Sequence, residues 1–275
     1  MFIDTHAHIL SSFYPEGIEA VIRASLDKKI VKIINIATCP EEFSQVLSLA
    51  QSNPGILLPS LGIHPDIAHG KDLQGLQTDI EALANESAAH TLLSIGECGL
   101  DYKGIIEKER DNIGEPVKIK QKYLFEKQAM LALALDIPLI IHCREAIMDL
   151  LPLLQTLKTK YPQLRAVIHS LDVSMENAIA IINLGFFVSF NGIMTFKNAK
   201  SIQELSYTLP LDRIILETDS PFLSPTPYRG TKNQPANIIY IYEYFAKLRN
   251  ISLLQLQSQI ISNEIFLWGE SFCIE

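Results

Sequence analysis

Short apolar runs rich in β-branched residues recur along the chain, and longer stretches with helical spacing of apolar positions separate most of them. The runs at 2–6, 31–36, 56–63, 91–95, 137–141, 165–168, 186–190 and 213–217 have the length and composition of strands. Residues 16–29 place Ile18, Val21, Ile22 and Leu26 on one helical face. Pro40 fits the first turn of the next helix, and Asn53-Pro54-Gly55 closes it. Further helices are expected at 73–89, at 123–135, from after Glu145 to about Tyr161, at 175–184 up to Gly185, at 236–247 and at 253–266. The polar stretch Lys103 to Lys120 reads as a surface loop on the same end of the fold as Glu97. Eight strands alternating with helices call for parallel pairing and right-handed crossovers. The expected architecture is a (β/α)8 TIM-type barrel, one domain over residues 1–275.

The polar residues that end these runs change the picture from fold to chemistry. His6 and His8 are two apart, so an extended backbone aims both imidazoles at one face. His64, His142 and His169 each follow an apolar run, as do Glu97 and Asp219. His69 and His90 do not and read as solvated. In a barrel the C-terminal ends of the strands converge on one mouth, so these seven residues can meet although they span the chain. Imidazole and carboxylate donors suit zinc, manganese, nickel or iron, and magnesium where oxygen dominates. Six such donors exceed one tetrahedral site and match two divalent ions sharing a carboxylate. Asp219 also stands shortly before Pro221, where a helix N-cap is an equally good use of an aspartate.

Composition limits the partners. A net charge of -8 argues against a broad basic groove for duplex DNA. Cys39, Cys98, Cys143 and Cys273 form no C-x-x-C pair, and Cys98 and Cys143 follow Glu97 and His142 on the opposite strand face, as packing thiols would. The N-terminus has no signal-peptide pattern and no apolar run approaches a membrane span, so the expected location is cytoplasmic.

The segments DTHAH at 4–8, GIHP at 62–65, IGECGLDY at 95–102, IPLIIHCREA at 137–146, VIHS at 167–170, LETDSPFLSP at 216–225 and RGTKNQP at 229–235 resemble, in this order, the TatD family of metal-dependent deoxyribonucleases. VSFNGIMTFKNA at 188–199 and the closing stretch from Asn263 to Gly269 extend the resemblance over essentially the whole chain. It implies one divalent ion (Mg, Mn or Zn) on His6, His8, Glu97 and Asp219, with Glu97 bridging to a second ion on His142 and His169. It places His64 near the substrate phosphate and Arg229 and Asn233 beside the mouth, with Asp219, Glu97 and His64 as the catalytic groups. The implied activity is 3′→5′ exonucleolytic hydrolysis of DNA at single-stranded or frayed ends, by a monomer or weak oligomer. Ester or amide hydrolysis, such as D-aminoacyl-tRNA deacylation with acylated tRNA as partner, is the second reading. Lys118, Lys120, Lys122, Lys197, Lys200, Arg229 and Lys232 could attract phosphate, and at least half of them are expected to be ordinary surface residues. The chain departs from the family pattern at Ser170-Leu171-Asp172 and in the long 103–120 segment.

Overall fold

All eight expected strands are present, and each pairs in parallel with the next: β1 (Phe2–Ala7), β2 (Ile30–Ala37), β3 (Leu57–Leu61), β4 (Ser94–Asp101), β5 (Leu139–Arg144), β6 (Ala166–Ile168), β7 (Phe187–Phe190) and β8 (Ile214–Leu216). The computed structural model describes residues 1–103, 105, 114–269 and 272. Helices surround the sheet: α1 (Ile18–Asp27), α2 (Pro40–Ser52), α3 (Leu73–Ala89), α4 (Gly114–Leu135), α5 (Ile147–Lys160), α6 (Met175–Asn183), α7 (Lys200–Thr208), α8 (Ile238–Arg249) and α9 (Leu253–Trp268). The last strand returns to the first. Ser220 O accepts from His8 N at 2.7 Å, and His6 O accepts from Asp219 N at 2.9 Å. The Asp4 carboxylate reinforces this join, accepting from Thr218 N at 2.8 Å and from its hydroxyl at 2.6 Å. The barrel therefore closes through the very residues that carry His6, His8 and Asp219.

Two apolar layers hold this arrangement. Ile3, Ile34, Ile36, Ile140, Val167, Phe187 and Ile215 form a buried cluster inside the barrel, as interdigitating branched side chains do in this fold. Trp268 and Phe272 join that cluster, with Trp268 Nε1 donating to Ser94 Oγ at 2.8 Å. A larger cluster lies between the sheet and the helices. Two buried glutamines of α4 interrupt it for a reason. Gln128 pairs with Ile63 N (2.7 Å) and Ile63 O (3.0 Å), just after β3. Gln121, two turns earlier on the same face, pairs with Asp101 N and O, both at 2.9 Å, at the end of β4. One helix thus satisfies the backbone of two strand ends that border the barrel mouth.

Four segments differ from expectation. β4 and β5 run further, to Asp101 and Arg144, so Glu97 and His142 lie within strands rather than beyond them. Gly and acidic residues lack β-propensity, but the β4–β5 ladder continues through Gly99↔His142 and Asp101↔Arg144. Gly99 (φ +144°) permits it, because a Cβ there would stand 2.1 Å from His142 O. The expected 103–120 loop is helical from Gly114 onward; its polar first turns face solvent while Val117 and Gln121 are buried. Residues 104 and 106–113 of that loop lie outside the described residues. Helix α7 carried too few apolar positions to register, since Ile202 and Leu205 are the apolar side chains it buries. No helix among the described residues is long and apolar enough to cross a membrane.

Candidate metal centre

The strand ends bring His6, His8, Glu97, His142, His169 and Asp219 together at the barrel mouth, with His64 at the rim. His6 Nε2, His8 Nε2 and Glu97 Oε2 form one grouping able to hold a metal, with Asp219 Oδ1 beside the two imidazoles. The two nitrogens are 3.2 Å apart, 3.3 and 3.6 Å from Glu97 Oε2, and 3.7 and 3.6 Å from Asp219 Oδ1. Donors held ~2.0–2.2 Å from a common ion at tetrahedral angles stand about 3.3–3.6 Å apart. This donor set therefore fits a divalent cation. The other oxygen, Glu97 Oε1, faces His142 Nδ1 and His169 Nε2, both at 2.7 Å, and these two nitrogens are 3.1 Å apart. Glu97, His142 and His169 form a second grouping able to hold a metal.

Outer contacts fix which nitrogen faces inward. His8 Nδ1 lies 3.2 Å from Ile36 O, His142 Nε2 lies 3.1 Å from Asp101 Oδ2, and His169 Nδ1 lies 3.5 Å from Glu217 Oε1. With the proton on each outward nitrogen, the inward lone pair is free for a cation. Buried Glu217 is itself held by Ser170 N (2.8 Å) and by the Ser189 hydroxyl (2.6 Å). Ser170 sits in the segment that departs from the family pattern, and its hydroxyl accepts from Asn191 Nδ2 at 2.8 Å. Asp219 adopts φ +57°, a conformation uncommon outside glycine that the surrounding bonds enforce.

Burial and charge oppose one another across this cluster. Burial alone would raise Glu97, yet His169, His64 and His142 hold it well below its usual value. Burial would lower His169, yet Glu97 and Glu217 hold it well above. His142 follows the same pattern, raised against burial by Asp101 and Glu97. Protons and a metal ion therefore compete for the same nitrogens. His64 behaves differently. Burial and the neighbouring His142 lower it to about 4, so it is neutral at physiological pH. Its Nδ1 accepts from Asp66 N at 3.2 Å, which leaves the proton on Nε2, 3.6 Å from Glu97 Oε1. His64 thus presents an N–H donor to the mouth.

Asp101 and Glu217 were not singled out by residue pattern. Glu217 stands two before Asp219, so the alternation that pairs His6 with His8 also pairs these two. Asp101 carries no such signal, because the apolar run of its strand ends at Ile95. Replacing it with asparagine keeps the shape and removes the charge behind His142. The expected outcome of Asp101→Asn is a ~10–100-fold loss of metal affinity, read by competition with a fluorescent chelator, with unchanged unfolding.

Other expected residues are placed elsewhere. Asn233 is fully buried, and its amide donates to Thr218 O (3.1 Å) and Phe222 O (2.6 Å). Its amide braces the turn bearing Asp219. Arg229 is exposed on the loop after β8, its guanidinium 4.3 Å from the Phe196 ring centroid. Lys122 and Lys232 are paired with Asp149 (2.8 Å) and Glu16 (2.9 Å), as surface lysines are. Cys98 is packed in the core and Cys143 is partly buried; neither joins the metal groupings.

An eight-stranded parallel barrel with buried imidazoles and carboxylates at its mouth defines a metal-dependent hydrolase. Comparison with known proteins narrows the class. The family model described as "TatD related DNase" matches residues 3–269, and the chain belongs to that family. It is 37% identical over 254 residues to an uncharacterized metal-dependent hydrolase of Buchnera aphidicola subsp. Baizongia pistaciae, covering 91% of this chain and 89% of that one. It is 30% identical to the uncharacterized metal-dependent hydrolase YabD of Bacillus subtilis, covering 96% and 97%. The crystal structure of YjjV, a TatD homologue from Escherichia coli K12, superposes with a TM-score of 0.84 at 27% identity over 98% of each chain.

Proposed function

We propose that this chain is a two-ion phosphodiesterase that removes nucleotides from the 3′ end of DNA. The observation that carries the reading is the split of Glu97: Oε2 faces His6 and His8, while Oε1 faces His142 and His169. With the carboxylate shared in this way, His6, His8, Glu97 and Asp219 would hold one divalent ion and Glu97, His142 and His169 a second, and the ions would supply Lewis-acid charge to the phosphoryl oxygens and lower the pKa of a water. The protein's own groups do the rest. Asp219 is ionised, since the surrounding His8, His6 and His169 outweigh its burial and lower it. It orients the attacking water and takes its proton. The His64 Nε2–H donates to a non-bridging oxygen, where negative charge grows in the transition state. Exposed Arg229 adds a cation on the same side. The acidic surface favours a substrate gripped at its terminal phosphate over one held along its length.

The test uses Mn²⁺-loaded and chelator-treated protein on a 5′-labelled linear oligonucleotide and on a closed single-stranded circle. Stepwise shortening of the linear strand, survival of the circle and a folded but inactive chelated protein are expected. Equal loss of both DNAs would make the enzyme an endonuclease. Release of amino acid from acylated tRNA with DNA untouched would replace the phosphodiesterase reading.

A further inference from the structure

Beside the metal centre two aromatic rings stand where nothing in the proposed chemistry uses them. Phe13 follows β1 and Phe222 follows β8; their centroids are 5.6 Å apart at 77°. Both border a metal-site histidine, with centroids 6.4 and 6.2 Å from that of His8. Phe222 is 49% exposed, a large apolar surface left open next to an ionic site.

The pair is built, not incidental. Asn233, sealed from solvent, donates to Phe222 O at 2.6 Å, and its own carbonyl accepts from the hydroxyl of Tyr14, next to Phe13, at 2.9 Å. Leu223 is held at φ +54° directly after Phe222. A Cβ on Gly192 would stand 2.0 Å from Leu223 O, so the loop after β7 packs flush against this turn from the other side. A rigid exposed ring at the edge of a polar site is a ready stacking surface.

We propose that Phe222, supported by Phe13, is a stacking platform for the base of the 3′-terminal nucleotide whose 5′-phosphate lies at the metal centre; this rests on the phosphodiesterase reading above. A base on Phe222 is one sugar away from a phosphate held next to His8. The open rim suits a flat ligand that covers one ring face and keeps its polar edge wet. Stacking accepts any base, as an enzyme degrading arbitrary sequence requires.

The test is calorimetric binding of deoxyadenosine 5′-monophosphate and of 2-deoxyribose 5-phosphate to Mn²⁺-loaded wild type, Phe222→Ala and Phe222→Trp, with metal content measured on each sample. Wild type should hold the nucleotide about tenfold tighter than the sugar phosphate. Phe222→Ala should erase that preference by weakening the nucleotide alone, and Phe222→Trp should keep it and show quenching of the new indole. Phe222→Ala with the preference intact overturns the platform. So does equal weakening of both compounds. A wild type that binds neither compound overturns the phosphodiesterase reading beneath it, a failure recognisable without any variant.

Discussion

Asp219→Asn should lower turnover on the proposed substrate, linear single-stranded DNA, by ~10²–10⁴-fold, the range for loss of a positioned acid–base group, while the protein unfolds at its native temperature. The helix-cap alternative is excluded by geometry: no backbone N–H among the described residues donates to its carboxylate, and its Oδ1 lies 3.7 and 3.6 Å from His6 and His8. Asparagine has the same shape and tolerates φ +57° better than most residues, so the turn survives. What the variant loses is a negative charge and the capacity to accept a proton. Metal content at the His6–His8 grouping should fall in parallel, because a charged donor has become neutral. Steady-state rate at saturating Mn²⁺, bound metal and thermal unfolding on one sample separate the roles. Near-native turnover would remove Asp219 from the mechanism. Loss of the folding transition would make it structural.

How much of this was legible beforehand depended on the length of the signal. The strand count was readable because apolar runs recur between helical stretches, and the six metal-type donors because they end or closely follow the β1, β4, β5, β6 and β8 runs, two of them from β1. Helix α7 was missed, since a nine-residue helix burying Ile202 and Leu205 gives almost no periodicity. The far ends of β4 and β5 were missed for a different reason. There the ladder is maintained by close backbone approach at Gly99 rather than by side chains that favour strands. The same effect hid Asp101. Asn233 shows another limit: its place in a motif marks it as a site residue, and the motif holds no trace of the bonds its amide makes to Thr218 and Phe222. Long-range hydrogen bonds of this kind leave no local pattern, because their partners are set by how the strands close.

Glu264→Met makes the protein more stable, and the gain grows with pH. Glu264 lies in α9 with 0% exposure, and neither carboxylate oxygen has a hydrogen-bond partner. It sits behind the β1–β8 join, near enough to Asp4 to feel its charge. Burial, with Asp4 adding to it, holds this carboxyl well above its usual 4.5. The folded protein therefore keeps a proton that the unfolded chain has released. More protons on the folded side mean that stability falls as pH rises above about 4.5, by ~1.4 kcal/mol for each unit, until the folded-state pKa is reached. Methionine is of similar length, unbranched and apolar, so it fills the space without the proton requirement. Asp4, which burial pushes up to about 8, has the same sign and leaves a residual slope in the variant. Urea unfolding of metal-free wild type and Glu264→Met at about pH 5 and about pH 8 provides the comparison. A larger midpoint gain at the higher pH is expected. An equal gain at both, or a loss at the higher one, would mean that the carboxyl is hydrated or paired in the folded protein and that its charge costs the fold nothing.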